Sequence, residues 1–151
     1  MTETILNTSL NNNKDYTLFA WTSQEIVNPI EVVRAEGVYV YDREGKAFLD
    51  FSSQLMNVNA GHNVPEIKEA IKDQLDQLSY VFPGIASEPR GNLGKLLNEI
   101  APDNMQKTFF TNGGADAIEN AIKIARIYTG RHKIITRYRS YHGATYGAIS
   151  A

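Results

Sequence analysis

The stretch KTFFTNGGADAIENAIKIARIYTG, residues 107–130, decides the fold of this chain. It opens with a short apolar, β-prone run at 108–111, which predicts one buried strand. A polar, glycine-bearing break at 112–114 follows. From Ala115 the apolar residues recur with the period of a helix, and Gly130 is a typical C-terminal stop.

A second β-prone run, at residues 133–137, comes directly after this helix. The order strand, turn, helix, strand suits a right-handed crossover between parallel strands. We therefore expect residues 107–111 and 133–137 to be adjacent parallel strands joined by a helix over 115–129. The fold class predicted from this pattern is α/β.

The glycine turn at the start of this helix has two possible interpretations. The first N–H groups of a helix lack internal partners and carry partial positive charge, so an anion such as phosphate fits there. A plain glycine turn is the alternative, because a lone Gly113-Gly114 pair is a weak signal. Asp116 and Glu119 would repel a phosphate unless they are directed away from it. The spacing matches neither the nucleoside triphosphate loop nor the dinucleotide fingerprint.

Composition limits the class of protein. At 151 residues with 42% hydrophobic content, the chain can bury one ordinary core. The absence of cysteine excludes disulfides and fits a reducing compartment. No apolar run reaches membrane-spanning length and the N-terminus does not read as a signal peptide. We expect a cytoplasmic protein with no membrane partner.

Charge is distributed unevenly along the chain. The overall net charge is −2, yet residues 120–151 carry six basic residues and no acid. A basic edge that neutralises acidic surface elsewhere is one explanation, and an anionic ligand or partner is the other. The basic residues are interleaved with apolar ones, which argues against nucleic acid as a partner.

The first half of the chain predicts an arm followed by a small sheet. Residues 1–14 are typical of a disordered or loosely packed arm. Trp21 ends an aromatic cluster that either pins this arm or lines a ligand pocket. Residues 30–50 alternate in polarity and contain glycine-bearing turns, which predicts an antiparallel meander.

Two helices and a linker connect the meander to the central stretch. Residues 51–62 are small and polar, as in a linker that borders a cleft. Pro65 predicts one helix start, and Ser87 predicts the cap of a second helix with Pro89 in its first turn. Two parallel strands with one crossover helix cannot cover both faces of a sheet. We therefore expect the chain to be the front section of a larger α/β protein, which an intact-mass measurement would test.

Several segments together resemble the class III aminotransferases, which use pyridoxal phosphate and have the type I fold. The resemblance rests on FFTNGGADAIENAIKIARIYTGRHKIITRYRSYHGATYGA, on the meander ending at 45–51, and on the Gly61-His62-Asn63-Val64-Pro65 turn. It covers roughly Trp21 to Ala151. It implies an N-terminal arm and small-domain meander over 1–60 and the first part of the cofactor-binding large domain over 61–151.

The resemblance also implies a cofactor site. Gly113, Gly114 and Ala115 match the triplet that holds the cofactor phosphate in the family. Tyr141 matches the aromatic residue that stacks on the pyridine ring, and His142 completes that signature. Gly113 replaces the common serine, and Asp116 stands where glutamate is usual. Both departures resemble the branch of taurine–pyruvate and other ω-amino acid–pyruvate aminotransferases.

Substrate residues and the reaction are implied in the same way. Met56 aligns with a substrate-pocket position, Trp21 approaches the same pocket, and His62 is interpreted as a turn residue. The lysine that carries the cofactor in the family lies outside this chain, since no lysine here matches its context. The resemblance implies transfer of an amino group from an ω-amino acid or amine to a keto acid such as pyruvate, by a homodimer or higher homo-oligomer. An aminomutase of the same fold and a non-catalytic phosphate-binding remnant remain alternatives.

Overall fold

The computed structural model describes residues 8–151. The chain divides after Tyr80 into two compact units. The first unit contains helix α1, strands β1, β2 and β3, and helix α2, which span Thr8–Tyr16, Val32–Glu36, Tyr39–Asp42, Ala47–Leu49 and Pro65–Gln77. The second contains helices α3, α4 and α5, which span Glu88–Ile100, Gly114–Thr129 and Tyr146–Ile149. A domain boundary at 60/61 stays a prediction.

The predicted meander is confirmed. Strands β1, β2 and β3 form a three-stranded antiparallel sheet in chain order. Gly37, at the first turn, has φ 57°, and Gly45, at the second, has φ 84°. Glycine adopts this left-handed backbone without the steric cost that a Cβ imposes. Val40 on the central strand is buried.

The N-terminal arm differs from expectation. Residues 1–7 of the predicted arm lie outside the described residues. Residues 8–14, however, belong to helix α1. The amide of Asn13 donates to the Ser9 carbonyl at 2.9 Å, and Lys14 lies in the last turn, where the helix dipole favours a cation. Local hydrogen bonding therefore gives part of this polar stretch a regular structure.

The three longer helices begin and end close to the predicted residues. Helix α2 has Pro65 as its first residue, and helix α3 follows Ser87 with Pro89 in its first turn. The hydroxyl of Ser87 caps no N–H group, so this position contributes only its extended backbone. Helix α4 ends at Gly130, which has φ 67° and donates its N–H to the Arg126 carbonyl at 2.9 Å.

The predicted pair of parallel strands does not form. Neither 107–111 nor 133–137 is a strand, and the only sheet among residues 8–151 is the meander. A strand exists through hydrogen bonds to a neighbour, and an isolated pair of strands is marginal in water. These two segments therefore lack the ladder that periodicity predicted, although the helix between them is present.

The apolar residues of α2 and α3 are not buried. Ile71 of α2 is 55% exposed and Leu96 of α3 is 54% exposed. Among the described residues of its own unit, neither helix packs against another helix or strand. Apolar residues recur on one face of each helix, and no other helix or strand of the same unit covers that face among the described residues.

Candidate functional site

The start of helix α4 presents open backbone. Gly113 caps the helix in an extended conformation, and the Thr111 hydroxyl donates to its carbonyl at 3.1 Å. No side chain accepts a hydrogen bond from the first-turn N–H groups at this cap. A Cβ built on Gly113 or on Gly114 would meet no atom within 4 Å. This is the geometry at which an anion approaches a helix N-terminus closely.

The two acids of the first turns have different surroundings. Asp116 is held by the Asn120 side-chain amide, which donates to its carboxylate at 3.1 Å. Glu119 is turned toward the C-terminal segment. Its Oε1 accepts hydrogen bonds from the Thr145 hydroxyl at 2.6 Å, the Gly147 N–H at 2.7 Å and the Ala148 N–H at 3.0 Å. The negative charge of Glu119 therefore interacts with hydrogen-bond donors at the start of helix α5.

These contacts change the protonation of Glu119. The hydrogen bond from Thr145, followed by that from the Ala148 N–H, holds the pKa of the Glu119 carboxyl below its usual value. Desolvation acts in the opposite direction and is the smaller effect. Glu119 is thus a carboxylate at neutral pH.

Gly143 brings the segment after Tyr141 onto the start of α4. Its backbone has φ 135°, and it is buried. A Cβ at this position would lie 2.6 Å from the Ala115 Cβ and 2.8 Å from the Ala115 Cα. Only glycine permits so close an approach. The structure therefore joins the two motifs, 113–115 and 141–143, through a direct backbone contact.

The two side chains before this glycine have different surroundings. Tyr141 is 69% exposed. His142 is half-buried, and its Nε2 is buried without a hydrogen-bond partner among residues 8–151. His142 borders an apolar cavity of about 280 Å³ that Ile118, Ile122 and Ile134 also line. His142 therefore packs beside α4, whereas the ring of Tyr141 remains accessible.

Met56 lies in an unusual turn of the first unit. The backbone φ angles of Ser53, Gln54, Leu55 and Met56 are 50°, 49°, 56° and 64°. This is a left-handed helical turn of four non-glycine residues, here called the left-handed turn. Left-handed backbone costs an L-residue about 1–2 kcal/mol. A backbone outlier of this kind is typical of functional segments, and Met56, at its end, is 74% exposed.

An acid–histidine pair holds the left-handed turn. His62 Nε2 lies 2.7 Å from Asp50 Oδ2, and the side chains are only 12% and 3% exposed. The other carboxylate oxygen, Oδ1, accepts the N–H of Gln54 at 3.2 Å. His62 also exchanges two backbone hydrogen bonds with Gly37, at 2.7 and 3.1 Å. Interpreting His62 as a turn residue was therefore incomplete, because it fixes the turn to the meander.

Trp21 belongs to the same unit as Met56. It has φ 58° and is 78% exposed. The two residues implied for the substrate pocket thus lie in the first unit, whereas 113–115, Tyr141 and His142 lie in the second. Their assignment to substrate and cofactor stays a prediction.

Sequence reasoning missed Glu119 and Asp50 as organising residues. Each accepts hydrogen bonds from groups that are distant or irregular in sequence, such as Thr145, 26 positions after Glu119. One available signal was the Gly147-Ala148 pair after Thr145, which suits a second helix start in need of an acceptor. No group of three metal-ligating side chains occurs among residues 8–151. No helix in that range is long and apolar enough to cross a membrane.

Comparison with known proteins identifies the family. Class III aminotransferases match residues 21–151. An acetylornithine aminotransferase of Archaeoglobus fulgidus is 38% identical over 137 residues, which are 91% of this chain and 35% of that protein. An aminotransferase of Bacillus subtilis is 42% identical over 123 residues, or 77% of this chain and 28% of that protein. The chain therefore spans about a third of the length of these relatives.

Solved structures agree with the predicted fold. The taurine:2-oxoglutarate aminotransferase of Bifidobacterium kashiwanohense, solved with PLP and glutamate, superimposes with a TM-score of 0.87 at 44% identity. The match covers 97% of this chain and 32% of that one. An (S)-enantioselective omega-transaminase of Thermomicrobium roseum gives a TM-score of 0.87 at 38% identity over 94% of this chain and 34% of its own.

These likenesses confirm the predicted α/β fold class and are consistent with the suggested branch of ω-amino acid aminotransferases. On the match over residues 21–151, the chain belongs to the class III aminotransferase family.

Proposed function

We propose that this chain is the N-terminal section of a pyridoxal-phosphate-dependent aminotransferase. The observation that carries the proposal is the close approach of Gly143 to Ala115, at which a Cβ on residue 143 would lie 2.6 Å from the Ala115 Cβ. It unites an open helix N-terminus with the segment that bears an accessible aromatic ring. A flat ring beside an anion site suits a planar, phosphorylated ligand.

The residues of this chain bind and orient in the proposed reaction. When bound, pyridoxal phosphate supplies the electrophilic carbon that takes an amino group from a donor and returns it to a keto acid. The N–H groups of Gly114 and Ala115 would donate to the phosphate, with Gly113 admitting its close approach. The Tyr141 ring would cover one face of the pyridine. The lysine that carries the cofactor lies outside this chain, so we expect these 151 residues alone not to transaminate.

The proposed amino donor is an ω-amino acid or amine, and the proposed acceptor is a keto acid such as pyruvate. The similar structures include a taurine:2-oxoglutarate aminotransferase and an omega-transaminase, which supports the donor class. The first of these names 2-oxoglutarate as acceptor. Rates of the complete enzyme with pyruvate and with 2-oxoglutarate, at a fixed taurine concentration, would choose between the two acceptors.

Met56 and Trp21 are proposed to contact the substrate. Both are largely exposed, and both have positive φ at a non-glycine residue, which supports a functional reason for their backbone. Substituting Met56 in the complete enzyme should change KM for the amino donor and leave cofactor affinity unchanged. We also propose a cytoplasmic homodimer or higher homo-oligomer, and the absence of cysteine supports the location.

The experiment that tests this function is cofactor dissociation from the complete enzyme. Gly114→Val places a side chain where the phosphate approaches, and each charge-assisted hydrogen bond lost costs about 1.5–3 kcal/mol. Tyr141→Ala removes stacking worth about 1 kcal/mol. The matched control is Gly94→Ala in α3, where a Cβ also meets no atom within 4 Å. Unchanged affinity in Gly114→Val would place the phosphate elsewhere.

A further inference from the structure

Helix α4 carries a two-residue strip on which the C-terminal segment lies. Ala115 and Glu119 are four residues apart and therefore share one face of the helix. Gly143 lies on Ala115, and Gly147, also four residues further on, lies on Glu119. A Cβ at Gly147 would overlap the Glu119 carboxylate. The spacing of the two glycines therefore equals the spacing of Ala115 and Glu119, the residues that they contact.

Glu119 makes the polar part of this contact. One oxygen, Oε1, receives the Thr145 hydroxyl and the N–H groups of Gly147 and Ala148 at 2.6 to 3.0 Å. Three donors that converge on one carboxylate oxygen fix both the position and the direction of the segment, because charge-assisted hydrogen bonds are short and strong. The half-buried Glu119 leaves that segment little freedom to shift along α4.

We propose that Glu119 is a positioning residue of the cofactor site. By holding residues 143–148 on α4, it fixes the Tyr141 ring relative to the N–H groups of Gly114 and Ala115. This inference rests on the proposed function and deepens it. Glu119 acts through the segment that it anchors.

The chemistry of the contact predicts a graded series of variants. Glu119→Gln keeps an acceptor oxygen but loses the charge, so it weakens all three hydrogen bonds. Glu119→Ala removes them. Thr145→Val removes one donor and leaves Glu119 in place, whereas Thr145→Ser restores the hydroxyl. The control is Glu69→Gln on α2, the same change at a carboxylate whose ion pair with Lys72 is exposed.

The test measures four properties of the complete enzyme. Hydrogen exchange of the Gly147 and Ala148 amides in the cofactor-free enzyme reports the anchor itself. Titration with pyridoxal phosphate gives Kd, and visible circular dichroism of the bound cofactor reports the orientation of its ring. The Tm of the cofactor-free enzyme separates general destabilisation from a local effect.

We expect faster exchange at Gly147 and Ala148, a weaker or altered dichroism band and a raised Kd in Glu119→Gln and Thr145→Val. The expected rise in Kd is about tenfold, the lower end of the 10- to 100-fold seen when orienting residues are removed around metal sites. Thr145→Ser and Glu69→Gln should retain wild-type values. If Glu119 variants do not fold, the two Thr145 variants carry the same comparison.

Two results would overturn the inference. Faster amide exchange with unchanged Kd and dichroism would make Glu119 a structural residue only. A loss of affinity in Thr145→Ser equal to that in Thr145→Val would show that the hydroxyl anchor is irrelevant. Failure of the wild-type enzyme to bind pyridoxal phosphate would instead refute the proposed function, and this inference with it.

Discussion

Two short irregular segments of the molecule can be compared by how they are held in place. One is the left-handed turn of the first unit, and the other is the 143–148 segment of the second unit. Each is held by a single carboxylate. Asp50 reaches His62 at 2.7 Å and the N–H of Gln54 at 3.2 Å. Glu119 collects three donors from the other segment at 2.6 to 3.0 Å. Both anchors fix a short irregular stretch against a regular element.

The two segments differ in which residues occupy the sterically restricted positions. In the 143–148 segment, glycine occupies two places where a Cβ would collide with α4, Gly143 and Gly147. In the left-handed turn, four residues with side chains adopt positive φ. Glycine permits close approach of two segments without steric cost, whereas the residues of the left-handed turn keep a strained backbone. Retaining strain is consistent with a need for the side chains themselves, Met56 among them.

The largest effect is expected at Gly143. Gly143→Ala introduces a Cβ 2.6 Å from that of Ala115 in a backbone with φ 135°. Overpacking of this kind costs about 1–3 kcal/mol, and the positive φ adds to that. Urea unfolding of the complete enzyme should show the loss.

Gly94→Ala is the matched control for this change. Gly94 lies inside α3, and its Cβ would meet no atom within 4 Å. The substitution should raise the free energy of unfolding by about 0.4–1 kcal/mol. If both variants lost stability equally, close packing at Gly143 would not be the reason for glycine there.

A gain in stability, smaller than the loss expected for Gly143→Ala, is expected for a glycine substitution in the left-handed turn. Leu55 has φ 56°, ψ 51° and is 59% exposed. Leu55→Gly relieves about 1–2 kcal/mol of steric cost and loses about 0.5–1 kcal/mol to the greater freedom of the unfolded chain. The free energy of unfolding should therefore rise by about 0.5–1 kcal/mol in a urea titration.

Leu96→Gly in α3 is the control for Leu55→Gly. Leu96 is similarly exposed, at 54%, but lies in a right-handed helix. Glycine there should lower the free energy of unfolding by about 1 kcal/mol. A loss of stability in Leu55→Gly as large as in Leu96→Gly would mean that the turn is not strained.

The smallest expected effect is on pH dependence. The hydrogen bond from His62 lowers the pKa of Asp50 below its ordinary value. A carboxyl whose pKa is lowered by folding stabilises the protein above its unfolded pKa, and this contribution is lost as pH falls through the folded pKa. Asp50→Asn should therefore lower Tm at pH 7, and the difference from wild type should shrink below about pH 4.

Glu119→Gln should show the same sign, since hydrogen bonds from Thr145 and the Ala148 N–H lower the pKa of Glu119. Thermal unfolding of both variants between pH 3 and pH 7 would check this. A Tm difference from wild type that grows on acidification would contradict the assignment of Asp50 and Glu119 as ionised anchors.

Local signals in the sequence predicted the local structure well. Pro65 at the start of α2, Gly130 at the end of α4 and the glycines of the meander act through backbone geometry that depends on few neighbours. The contact between 113–115 and 141–143 was anticipated only through family resemblance. The contact requires a residue without a Cβ at position 143. The sequence shows this glycine but does not show that it approaches Ala115.

Features that depend on distant partners could not be predicted in the same way. Leu55 and its neighbours have no local propensity for positive φ, and their conformation follows from Asp50, His62 and the meander. Glu119 looked like an ordinary acid near a helix start, because its partners lie 26 to 29 positions later. The β-prone runs at 107–111 and 133–137 likewise needed neighbours that periodicity does not identify.

The left-handed turn has a stereochemical consequence. Its hydrogen bonds, from Met56 N–H to the Ser52 carbonyl at 3.0 Å and from Asn57 N–H to the Ser53 carbonyl at 2.9 Å, join residues four apart as in an ordinary helix. The turn is therefore close to the mirror image of one turn of α-helix. D-amino acids prefer that hand for the same steric reason that L-amino acids avoid it. In an enzyme assembled by peptide ligation, D-leucine at position 55 would suit this backbone better than its natural enantiomer.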